Sequence, residues 1–199
     1  MAEVYVVTGL MRSGTSFLAE TLHRQGIPMG TFMRFPSLNP KSGFEWEDAF
    51  LSEPLCQIAM RHLDTPDDLV SAFRDAKEVI GNYVSRREAE GAFPWGVKTP
   101  FVLPFLGSLR DAVETAGHSL NVFLTNREYA DTLKSLELQF DHLEGKALEA
   151  VRSSSMRIQD KLARNWQPAR DGAEIFDCKE SQDNSDAVIA RVARLIGKE

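Results

Sequence analysis

Val4-Tyr5-Val6-Val7-Thr8-Gly9-Leu10-Met11-Arg12-Ser13-Gly14-Thr15-Ser16 is the stretch on which the fold turns. Val4–Thr8 is a short β-branched run closed by Gly9, the pattern of a strand buried on both faces. From Thr15 the apolar residues Phe17, Leu18 and Leu22, with Ala19 between them, take helical spacing, and Gly26-Ile27-Pro28 ends that helix near Gln25. Between strand and helix, Gly9 and Gly14 have the Gly-x4-Gly spacing of a phosphate-binding loop. Glycines let successive backbone N–H groups turn into one concavity, and the start of the helix adds the positive end of its dipole. Thr15 and Ser16 supply hydroxyl donors. A nucleoside triphosphatase carries lysine directly after the second glycine, and here that position is Thr15; the basic residue is Arg12.

Working outward, the same alternation continues. Residues 30–45 are rich in Pro, Gly, Ser and Asn and read as a long excursion, followed by helical patterns at about 46–63 and 67–90. Thr65-Pro66-Asp67-Asp68 gives the second of these a cap, a proline at its first position and acid in its first turn. A short strand ends at Lys98, a helix is expected over Pro100–Ala116, and Asn121–Thr125 is a second clear buried strand. Helices follow at about 128–142 and 147–165, then a weak strand at Glu174–Asp177 and an amphipathic helix at Asp186–Ile196. Short apolar strands alternating with helices predict one α/β domain over residues 1–199, with a central parallel sheet flanked by helices.

Composition narrows the function. A net charge of −6 argues against a general nucleic-acid binder, though not against a local basic pocket. Cys56 and Cys178 lie far apart with no CxxC, so neither a disulfide framework nor a zinc site is indicated. His23, His62, His118 and His142 have no ligand spacing. No positive leader precedes Val4 and no run of about 20 apolar residues occurs, so a cytoplasmic protein without a membrane span is expected.

Two positions at strand ends carry further chemistry. Arg127 directly follows the Asn121–Thr125 strand, with Ser135 eight residues on. In parallel sheets this end faces the ligand crevice, and arginine grips phosphate through paired charge-assisted hydrogen bonds. Lys98 ends its strand beside the loop, where a lysine can neutralise charge developing on a leaving oxygen.

These residues resemble the PAPS-dependent sulfotransferase superfamily, nearest its small bacterial-type members. Val7–Leu18 is similar to the 5′-phosphosulfate loop, with its basic-Ser-Gly-Thr-Thr/Ser core. His23–Gly30 is similar to the turn after the first helix, and Asn39–Asp48 to an Asn-Pro-Lys-Gly-aromatic-Glu segment. Trp95–Pro100 is similar to the strand bearing the active-site lysine, and Val122–Arg127 with Ser135 to the 3′-phosphate site. The likeness covers about residues 4–140 and is loose beyond.

It implies a three-layer P-loop fold and transfer of a sulfuryl group from PAPS to a hydroxyl or amine, leaving adenosine 3′,5′-bisphosphate. It implies that Arg12, Ser13, Gly14, Thr15 and Ser16 cradle the 5′-phosphosulfate and that Phe17 stacks on adenine, unless Phe17 serves the core. Arg127 and Ser135 would hold the 3′-phosphate and Lys98 the leaving oxygen, with no metal needed. Some relatives place a histidine base two residues after the lysine. Pro100 stands there, so the base is expected at Glu45 or Glu47, against the alternative of an exposed helix start. The expected acceptor is a small molecule or carbohydrate, with no nucleic-acid or membrane partner. The rival functions are an NTP-dependent kinase or NTPase, and a non-catalytic nucleotide-binding descendant.

Overall fold

A computed structural model describes residues 1–30, 46–62, 66–91, 93–139 and 144–198. The strands are β1 (Glu3–Gly9), β2 (Trp95–Lys98), β3 (Ser119–Asn126) and β4 (Ala173–Asp177). They form one parallel sheet in the order β2-β1-β3-β4. Register aligns Val7 with Lys98 on one side of β1 and Gly9 with Thr125 on the other.

Alternation along β1 sorts the sheet's two faces. Val4 and Val6 point into a core built with α2 (Ala49–Arg61), α3 (Pro66–Glu90), α4 (Leu106–Thr115) and α6 (Gly145–Arg164). Tyr5 and Val7 point the other way, onto α1 (Thr15–Arg24) and α9 (Ser185–Leu195). The remaining helices are α5 (Tyr129–Gln139), α7 (Trp166–Ala169) and α8 (Cys178–Asp183). The α/β architecture with a helix-flanked parallel sheet is therefore as expected.

Some boundaries differ, for local reasons. The helix expected from Pro100 opens as a 3-10 segment, Pro100–Phe105, before α4. Pro104 lacks the N–H an α-helix would use there. The helix expected from residue 46 begins only at Ala49, because Trp46 has φ 56° and Asp48 caps the helix by accepting from Phe50 N. The short α8 was not anticipated. Asp177 caps it, accepting from Lys179 N and Glu180 N. No helix among the described residues is long and apolar enough to cross a membrane.

Candidate active site

Because β1 sits between β2 and β3, the chain leaves it toward one side and later returns on the other. At the carboxyl edge of such a sheet the loops part and leave a crevice. A cavity of about 800 Å³ occupies this place. Met11, Arg12, Gly14, Thr15 and Ser16 line it from the loop, Lys98 and Phe101 from the end of β2, Arg127 from β3, and Cys178 from β4. Each strand thus delivers its carboxyl end to one space.

The loop is shaped by close contacts. Gly9 has φ 149°, and a Cβ there would lie 2.4 Å from Thr125 Oγ1. Gly14, with φ 96°, caps α1, and a Cβ there would meet Cys178 Sγ at 3.2 Å. Between them Arg12 holds φ 65°, a left-handed conformation that disfavours a side chain. Three side chains hold it there. Arg127 Nη1 donates to Arg12 O at 2.8 Å, and Arg12 Nε donates to Ser135 Oγ at 3.2 Å. The buried Gln159 clasps the preceding residue, accepting from Met11 N and donating to Met11 O, each at 3.0 Å.

Ser13 is fully buried, its hydroxyl bonded to Leu10 O and paired with Thr125 Oγ1 at 2.6 Å. Its side chain fixes the loop to β3, and the face offered to the cavity comes from its neighbours. Phe17 lies outside the cavity wall, packed on the α1–α9 core and beside a smaller recess with Glu20 and Arg24. Ser135 reaches the site through Arg12.

Lys98 and Glu47 form a buried ion pair, Nζ to Oε1 2.8 Å, with side chains only 4% and 8% exposed. Both line the cavity. Glu47 is accordingly not on an exposed helix start. It sits just before α2, fixed on one side by Asp48, whose Oδ2 accepts from the buried Tyr83 hydroxyl at 3.0 Å. On its other side the Trp46 ring lies 5.0 Å from His23. Glu45 falls outside the described residues.

Two thiols line the same cavity. Burial raises Cys178, while Arg127 and Arg12 oppose that rise and Asp177 adds to it. Burial also pushes Cys56 up to about 11, assisted by Glu47 and Glu53. Among the described lining residues, Arg12 and Arg127 are the cations at the loop end and Glu53 is the charged residue on α2. Among the described residues no cluster of three His, Cys, Asp or Glu side chains could hold a metal ion.

Sequence reasoning missed Gln159. It falls between Ile158 and Leu162 on the buried stripe of α6, and a polar residue in an apolar stripe was the available signal. Trp166 and Trp46 pack, partly buried, against the two cores. No family model matches the chain, and no curated protein matches it.

Proposed function

We propose that the protein is a PAPS-dependent sulfotransferase on a three-layer P-loop fold, transferring a sulfuryl group to a hydroxyl or amine. The observation that carries this reading is the convergence of Arg12, Arg127 and the Lys98–Glu47 pair on one cavity from separate strand ends.

The residues fit such a donor. A loop cradle that a Cβ at Gly14 would narrow, flanked by the Thr15 and Ser16 hydroxyls and two guanidiniums, suits an anion with several oxygens. Bound PAPS would supply the sulfuryl group, whose transfer demands positioning and charge stabilisation more than covalent help. Arg12, Thr15, Ser16 and the loop N–H groups would hold the 5′ end. Arg127 would hold the 3′-phosphate, with Ser135 acting through Arg12. Lys98 would stabilise negative charge on the leaving oxygen. With Oε1 of Glu47 held by Lys98, its Oε2 would take the proton from the acceptor.

Calorimetry with adenosine 3′,5′-bisphosphate against adenosine 5′-monophosphate tests the reading. The bisphosphate should bind at least about tenfold more tightly, the worth of one charge-assisted contact, and Arg127→Ala should abolish the difference. Tight binding of ATP with Mg²⁺, indifferent to a 3′-phosphate, would instead establish the NTPase alternative.

A further inference from the structure

The donor assignments leave one wall of the cavity unused. Ser52, Glu53, Cys56 and Gln57 line it from α2, where their i, i+1, i+4, i+5 spacing gives a broad face: Ser52 with Cys56, and Glu53 with Gln57, one turn apart. Ser52 is fully buried, and its Oγ has no hydrogen-bond partner among the described residues. Native proteins seldom leave a buried hydroxyl so. Glu53 is exposed at the same wall and makes no ion pair among the described residues. Glu47, Glu53 and Cys56 line the same cavity.

Charge is consequently segregated along the cavity. Arg12 and Arg127 occupy the loop end, the Lys98–Glu47 pair cancels in the middle, and Glu53 leaves the α2 end negative. Phe101 and Ile158 add apolar surface, suited to the C–H face of a ring. Among the described residues that line the cavity, no cation lies on α2 to offset Glu53 toward a negatively charged guest.

We propose that this wall is the acceptor subsite and that it selects a hydroxyl-bearing compound with an ammonium group, an amino sugar or amino alcohol. The ammonium lies against Glu53 and a hydroxyl satisfies Ser52. The word acceptor rests on the sulfotransferase reading; the binding chemistry does not.

Glucosamine, N-acetylglucosamine and glucuronate serve as cationic, neutral and anionic probes of similar shape. Each is titrated into the full chain, with and without adenosine 3′,5′-bisphosphate, and followed by calorimetry or saturation-transfer NMR. Glucosamine should bind roughly tenfold more tightly than N-acetylglucosamine, and glucuronate should not bind. Glu53→Gln should erase that preference while bisphosphate binding persists. Ser52→Ala should weaken glucosamine severalfold without lowering the melting temperature of the free protein, because its hydroxyl has no internal bond to lose. Equal binding of the three sugars, or a preference surviving in Glu53→Gln, overturns the inference. Undiscriminated sugars alongside normal bisphosphate binding remove the subsite alone. Sugar discrimination without bisphosphate binding removes the donor reading and leaves the subsite standing.

Discussion

Arg12 and Arg127 are both cations at the loop end, yet one holds the other's backbone. Arg12 sits in a left-handed conformation that costs an ordinary residue about 1–2 kcal/mol. The hydrogen bond from Arg127 to its carbonyl offsets part of that cost and aims both side chains at one space. Lys98 and Glu47 are coupled more directly. Removing one partner of a buried pair is expected to cost about 3–5 kcal/mol, while replacing both with apolar residues costs much less. Glu47→Leu and Lys98→Met should therefore each lower the urea midpoint sharply, and the double variant should lose less than the sum of the two. Strict additivity would mean that the contact is energetically empty. Lys98 and Arg127 were legible because each stands at the end of a short strand pattern. The ion pair was not, since its partners lie 51 residues apart and only tertiary packing joins them.

At the scale of elements, α6 matters more to the loop than its position in the sequence suggests. Through Gln159 it satisfies both backbone groups of Met11, at a point where the left-handed turn leaves no ladder to do so. Through Lys161 it also ties down the end of α2, donating to Ala59 O at 3.0 Å and His62 O at 3.1 Å. Gln159→Leu should cost about 1–3 kcal/mol, because two part-buried backbone groups lose their partners in place. It should also weaken adenosine 3′,5′-bisphosphate binding, and denaturant titration with calorimetry reads both effects. Unchanged binding would show that the loop keeps its shape without the clasp. β1 and β3 were evident in the sequence because their apolar runs are covered on both faces. β4 was faint because Glu174 and Asp177 lie on an edge strand with exposed positions, and α8 is too short to show a period.

For the molecule as a whole, net negative charge surrounds a site whose loop end is cationic. Binding of a polyanion there should weaken as salt rises, because screening removes attraction at the guanidiniums while the contacts remain. A ligand that binds only the folded state at one hundred times its dissociation constant adds about 2.7 kcal/mol. At about 2–4 °C per kcal/mol for a chain of this size, saturating bisphosphate should raise the melting temperature by about 5–10 °C. Differential scanning calorimetry checks this, and no shift at saturation would mean that the bisphosphate does not bind the folded state in preference to the unfolded one. The sheet and its crevice followed from the alternation of elements. The charge separation across the crevice did not, because it depends on which face of α2 turns inward.

The close fit of Gly9 against Thr125, with Arg127 two residues further on, has a consequence for how the chain comes to life on the ribosome. The loop is synthesised well before the strand that shapes it, which emerges more than a hundred residues later. A nascent chain that has not reached β3 carries the loop's sequence without its geometry. Ligand capture by growing chains of increasing length would therefore date the moment at which β3 docks beside β1.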